Sequence, residues 1–239
     1  MSDDLEQFML GHPPTPDRPL QGLTVLVVED SRFASEAIRL LSLRSGARIR
    51  RADSLRAAHR HLQVYRPSIV IVDMGLPDGC GADLIARLST HPPRVPVLLG
   101  MSGDGTLKDQ ALQAGADGFL AKPVESLAVF QQAILSVLPA TEGPVTPRAL
   151  PQDLIAPDEI AFQDDLCHAA TLMRDDVDGP MQDYIAQFLG GVARSAHDNS
   201  LEAAATGLAQ ARAAGRGTVA DLARVQGLVQ DRLAHRHVL

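Results

Sequence analysis

Between Leu23 and Leu138, short apolar runs alternate with segments of helical period. The runs fall at 23–28, 47–52, 68–72, 95–100 and 117–120. They are continuously apolar or weakly alternating, as expected of strands covered on both faces. Helices are predicted between and after them, at about 32–45, 54–65, 82–90, 105–115 and 124–138. Phe33, Ala37, Leu40 and Leu41 share one face of the first, and Gly46 ends it. Leu127, Phe130, Ile134 and Val137 share a face of the fifth. Five such βα units predict an α/β fold with a doubly wound, five-stranded parallel sheet. Its ligand crevice should lie at the carboxyl ends of the strands.

The pattern changes after Leu138. Residues 139–157 are dense in proline, which blocks helix and central strand, so they are predicted to be a linker. Residues 158–239 have helical period throughout. One helix is predicted over 159–174. A second starts after Asp178-Gly179-Pro180, with proline suited to the first turn. Its stripe of Met181, Tyr184, Ile185, Phe188, Leu189, Val192 and Ala196 continues through Leu201, Ala205 and Leu208, predicting one helix up to Gly215. A last helix is expected at about 218–236, with Val219, Leu222, Val225, Val229 and Leu233 on one side. An antiparallel bundle or a helical dimer would bury these stripes. The expected division is a flexible tail at 1–21, a receiver-type α/β domain at 22–138, the linker, and a helical interaction or dimerisation domain at 158–239.

Composition narrows the function. The chain has 239 residues, is 45% apolar and carries a formal net charge of −7, which disfavours non-specific binding to nucleic acid or anionic membranes. Cys80 and Cys167 are too few for a disulfide framework and read as free thiols of a reducing cytosol. The polar, proline-containing start does not resemble a signal peptide, and no apolar run has the length of a membrane span. A cytoplasmic location is expected. There are two lysines, Lys108 and Lys122, against twenty arginines, so a lysine at a strand end stands out.

Four strand ends carry polar chemistry in order. Glu29-Asp30 follows the first strand, Asp73 the third, Ser102 the fourth and Lys122-Pro123 the fifth. Singly, such residues are more often caps or solvated charges. Together they compose a site for a metal ion and a phosphoryl group. The constellation resembles the receiver domain of two-component response regulators, over about residues 22–138. The resemblance implies the strand order 2-1-3-4-5 and a phosphoacceptor role for Asp73. It implies Mg²⁺ held by Asp30 and Asp73, by Glu29 through water, and by the backbone carbonyl of Gly75. Lys122 and Ser102 would contact phosphoryl oxygens, and Phe119 would turn inward as Ser102 moves. Pro123 would follow a cis peptide. The implied protein is a signalling phosphoacceptor with self-catalysed phosphoryl transfer and dephosphorylation, not an enzyme. Its expected partner is a histidine kinase or histidine phosphotransferase. Two positions depart from the usual pattern: Gly103 stands where alanine is common, and Gly75 offers no side chain beside the aspartyl phosphate.

The second half is less legible. From Val145 to Leu239 there are eight arginines, no lysine and thirteen acids, a net charge of −5. That disfavours a DNA-reading output, which needs a basic face. No cyclic-dinucleotide synthase signature or metal-ligand spacing occurs, and His168, His197, His235 and His237 are scattered. The alanine-rich helices are somewhat similar to a histidine-phosphotransfer bundle. Ala196-His197 matches the start of that family's signature, but Asp198-Asn199-Ser200 lacks its leucine, lysine and glycine. Two function classes fit: a phosphorylation-controlled interaction protein, dimer-forming or acting on another signalling protein, and a phosphorelay intermediate using His197. A transcription factor is the third and least favoured.

Overall fold

The computed structural model of the chain describes residues 13–139, 151–155, 158–174 and 177–234. Five strands, β1 (Thr24–Val28), β2 (Arg48–Ala52), β3 (Ile69–Asp73), β4 (Val97–Ser102) and β5 (Gly118–Ala121), form a parallel sheet in the order 2-1-3-4-5. Five helices connect or follow them: α1 (Arg32–Arg44), α2 (Leu55–Val64), α3 (Gly81–Thr90), α4 (Leu107–Gln113) and α5 (Leu127–Leu135). A two-residue antiparallel ribbon, Gly75–Leu76 with Gly79–Cys80, lies between β3 and α3.

Alternation along each strand sorts side chains to opposite faces. Val25, Val27, Ile69, Ile71, Val97 and Leu99 face α1 and α5, where they meet Ile38, Leu41, Phe130 and Ile134. Leu26, Val28, Val70, Val72 and Leu98 face the other way, onto Ala57, Ala58, Leu84, Ile85 and Ala111 of α2, α3 and α4. The expectation that every strand is covered on both faces fails for β2. This edge strand carries Arg48, Arg50 and Arg51, mostly exposed, and charge on an edge discourages pairing with another chain.

Four further helices, α6 (Glu159–Leu172), α7 (Gly179–Ser195), α8 (Asn199–Ala213) and α9 (Val219–Ala234), pack into a bundle. Its core joins Leu166, Ile185, Leu189, Val192, Leu201, Ala205, Leu208, Val225 and Val229. The single helix predicted to run up to Gly215 is two helices. Ala196 closes α7, His197 takes φ 56°, and the Asp198 side chain accepts from Leu201 N–H to start α8. Both halves face one core, but the apolar stripe slips at the break. Leu201 is nine residues after Val192, about half a turn out of phase at ~3.6 residues per turn, so the periodicity itself marks the turn. Among the described residues no helix is long and apolar enough to cross a membrane.

The chain ends of the α/β unit are more ordered than expected where they are described. Of the predicted flexible tail at 1–21, residues 1–12 lie outside the described residues. Residues 15–18 form a turn, and Leu20 is fully buried with its N–H bonded to Ser45 O at 2.9 Å. The predicted linker falls mostly outside the described residues, but its segment 151–155 pairs with the start of α5. Leu127 N–H donates to Asp153 O, Ile155 N–H donates to Glu125 O, and Ile155 joins the core.

Candidate functional site

The carboxyl ends of β1, β3, β4 and β5 converge on one point. Asp73 is the last residue of β3 and is 5% exposed; Glu29, just past β1, is fully buried, and Asp30 beside it is half-buried. Carboxylate oxygens of Glu29, Asp30 and Asp73 lie within 4.8 Å of one another. Lys122, just past β5, bridges two of them: Nζ is 2.7 Å from Glu29 Oε2 and 3.0 Å from Asp73 Oδ1. Ser102 ends β4, and its Oγ accepts from Asp104 N–H at 3.1 Å. The Lys122–Pro123 peptide bond is cis. Phe119 is half-buried on β5, against Gly100 and the α2–α4 side of the core. Parallel register produces the convergence: Asp73 pairs with Met101, and Ser102 with Ala121, so the successor of each strand end projects from the same edge.

The electrostatics follow from crowding. Burial, then the charges of Glu29 and Asp73, pushes the Asp30 carboxyl up to about 8, against the Tyr184 hydrogen bond and Lys122. Burial pushes Asp73 up to about 7, with Lys122 opposing and Glu29 adding to the rise. Burial alone would pull Lys122 down, but the Asp73 and Glu29 carboxylates outweigh it and hold the ammonium above its ordinary value. A cluster with this excess of buried negative charge is suited to receive a cation. All its donors are oxygens, which matches a hard divalent ion.

The helical bundle covers this face, one of the two placements that the linker allows. Asp165 of α6 caps α1 across 134 residues of chain. Its Oδ2 accepts from Ser31 Oγ–H at 2.7 Å and from Phe33 N–H at 3.0 Å, and its Oδ1 accepts from Arg32 N–H at 2.7 Å. Those N–H groups belong to the first turn of α1, where helix donors lack partners within the helix. Arg32 also pairs with Asp164 at 2.7 Å, and Phe33 meets Phe162 edge-on at 5.8 Å. From α7, Tyr184 O–H donates to Asp30 Oδ2 at 2.7 Å, and Arg194 donates to the Gly103 carbonyl.

Gly75 and Gly103 are where α7 side-chain ends rest directly on the receiver backbone. A Cβ on Gly75 would overlap the Gln187 amide, and one on Gly103 would overlap the Arg194 guanidinium. Both departures from the receiver pattern are therefore places where α7 side chains come down on the site, as Tyr184 does on Asp30. Tyr184, Gln187, Gly191 and Arg194 recur at helical spacing, so one face of α7 is given to the strand ends. Beneath it is a cavity of about 700 Å³ lined by Asp73, Lys122, Ser102 and this face.

Tyr184 stacks on Phe188 at 5.8 Å and packs against the bundle core, as the stripe predicts, while its hydroxyl reaches the α/β unit. His197 does not line the cavity with Asp73. It sits exposed in the α7–α8 turn, with Nε2 2.8 Å from Glu125 Oε1. His235 and His237 lie outside the described residues. Gln187 and Arg194 lie off the apolar stripe of α7, on its polar side, where nothing local marks a contact. Asp165 had no local signal, because its partners are remote in sequence.

Comparison with known proteins agrees with the α/β half. Residues 25–134 match the family model for the response regulator receiver domain. The virulence transcriptional regulatory protein PhoP of Salmonella typhimurium is 34% identical over 116 residues, 47% of this chain and 52% of that protein. The transcriptional regulatory protein PhoP of Escherichia coli O157:H7 is 31% identical over the same length. The chain thus spans about half the length of the curated relatives it matches. Among solved structures, the receiver domain of the sensor histidine kinase PA1611 of Pseudomonas aeruginosa, described with a magnesium ion in its active-site cleft, is 23% identical. It covers 48% of this chain and 97% of its own, with a TM-score of 0.44. A signal receiver domain of a histidine kinase from Syntrophus aciditrophicus is 24% identical over 54% of this chain and 99% of its own, with a TM-score of 0.45. The family match ends in α5, ahead of the bundle. Residues 25–134 are a response regulator receiver domain.

Proposed function

We propose that this chain is a phosphorylation-controlled response regulator, with Asp73 as phosphoacceptor and the C-terminal helices as a protein-interaction module. The observation that carries this is the grouping of Glu29, Asp30 and Asp73 within 4.8 Å, with Lys122 3.0 Å from Asp73. A histidine kinase or histidine phosphotransferase is the donor class. An Asp73 carboxylate oxygen attacks the donor's phosphorus, and the bond from phosphorus to the donor breaks with its electron pair leaving on the donor. The product is an acyl phosphate. Such transfer depends mainly on positioning and charge neutralisation.

The oxygen donors fit Mg²⁺: Asp30, Asp73 and the Gly75 carbonyl would hold it, with Glu29 acting through water, and the bound ion would neutralise charge on the phosphoryl oxygens. Lys122 exchanges its contact with Asp73 for one with a phosphoryl oxygen. Ser102 Oγ–H donates to another, and Phe119 follows it inward. Before phosphorylation, Tyr184 holds one oxygen of Asp30 and Lys122 holds Asp73, so both groups start out engaged.

The bundle's net charge and its docking on an acidic site argue for a protein partner over DNA. The PhoP relatives are named as transcriptional regulators, but their similarity does not extend over their full length. A homodimer through the C-terminal helices is the other arrangement. A relay through His197 draws no support from its place at an exposed turn, paired with Glu125. The test is chemical. After phosphorylation, the phosphate should be acid-stable and base-labile, as an acyl phosphate is. Acid-labile phosphate recovered from residues 158–239 would favour the relay instead.

A further inference from the structure

Hydrolysis of an acyl phosphate needs a water molecule opposite the bond that breaks. Asp73 ends β3 and lines the same cavity as Gln187 and Arg194 of α7, so the water must come from that cavity. Any side chain that orients the water from there must come from the helices over the cavity. Thr206 of α8 lines it too, but among the described residues of these helices only α7 side chains reach the loops after Asp73 and Ser102. The Tyr184 hydroxyl is engaged by Asp30, Arg194 by Glu202 and the Gly103 carbonyl, and Asp183 by Arg212. Gly190 and Gly191 have no side chains to offer. Gln187 remains. Its amide rests against Gly75, whose N–H bonds the Asp73 carboxylate, and it is solvent-accessible. No hydrogen bond to another described residue engages that amide. An amide carries both a donor and an acceptor, so one group can hold a phosphoryl oxygen and a water hydrogen together.

Resting on the phosphoacceptor reading above, we propose that Gln187 is a positioning residue for hydrolysis of phospho-Asp73, supplied to the receiver by the chain's own helical bundle. Gln187 Oε1 accepts a hydrogen bond from the attacking water, and Nε2–H donates to a phosphoryl oxygen. The water oxygen bonds to phosphorus, and the bond to the Asp73 oxygen breaks with its electron pair returning to the carboxylate. The water protons pass to the departing phosphate and to solvent. The missing side chain at Gly75 is then replaced from a distance, and the lifetime of the phosphorylated state depends on whether the bundle is docked.

The test uses the full chain. It is phosphorylated with acetyl phosphate and Mg²⁺, freed of donor, and followed for loss of phosphate in wild type and Gln187→Ala. Loss of a positioned water should lengthen the half-life by on the order of tenfold. A parallel cleavage with hydroxylamine attacks the acyl carbon and needs no water aligned at phosphorus, so its rate should not slow. A half-life that is unchanged or shorter in Gln187→Ala overturns the proposal and makes Gln187 a bystander or a shield. Slowing of both cleavages equally also overturns it, because that is the mark of altered access. Failure of the wild-type chain to take up phosphate at all would instead sink the phosphoacceptor reading beneath it.

Discussion

Replacing Asp165 by alanine should loosen the bundle from the receiver without unfolding either. Asp165 is 2% exposed and accepts three hydrogen bonds from Ser31, Arg32 and Phe33. Hydrogen bonds to a charged group contribute about 1.5 kcal/mol or somewhat more each, and a carboxylate at a helix N-terminus gains up to about 1 kcal/mol. Against this stands the cost of burying the charge, which is the main reason the Asp165 carboxyl is raised above its ordinary value. The net contribution to docking should be about 2–3 kcal/mol, a shift of roughly 30–150-fold in the docking equilibrium. The receiver should stay folded because Ser31 Oγ still caps α1 through Ala34 N–H at 2.9 Å. Hydrogen exchange of the full-length chain is the assay. Amides of residues 29–34, 74–76 and 103–105 should exchange faster in Asp165→Ala, while those of β3 and β4 should not. Unchanged exchange in all three loops would refute the view that this cap holds the bundle on the site.

Other outcomes follow from the same geometry. The raised Asp30 and Asp73 carboxyls mean the folded, metal-free protein holds protons that the unfolded chain releases. Its stability should therefore fall as pH rises from about 4 to about 8, and Asp30→Asn should flatten that fall in thermal denaturation. Mg²⁺ affinity should rise over the same interval, since the ion replaces those protons. Beryllofluoride with Mg²⁺ should change hydrogen exchange within residues 100–125, as Ser102 moves toward the phosphate mimic and Phe119 fills the space. No change there would remove Phe119 and Ser102 from the switch.

The receiver half was legible because its signals are local and repeated. Every strand but β2 is an apolar run, and each site residue ends or follows one, so parallel register brings Glu29, Asp30, Asp73, Ser102 and Lys122 together. The helical half was legible as helices and not as an arrangement. An apolar stripe says that a face is buried, not which neighbour buries it, and the phase slip between Val192 and Leu201 marks the reversal at His197 without saying where the returning helix packs. The docked face was invisible for a related reason. Asp165 looks like any acid on a helix until Ser31 is placed beside it. Gly75 and Gly103 were noticed as irregularities of the receiver, but their cause lies on α7, about a hundred residues later.

The most direct measurement is the mass of the intact chain, wild type and Asp73→Asn, after incubation with acetyl phosphate and Mg²⁺, with peptide mapping of any added phosphate. The wild-type chain should gain one phosphoryl group, mapped to the peptide containing Asp73, only when Mg²⁺ is present, and Asp73→Asn should gain none. Undiminished uptake by Asp73→Asn, or phosphate mapped to His197, would contradict the account at its centre.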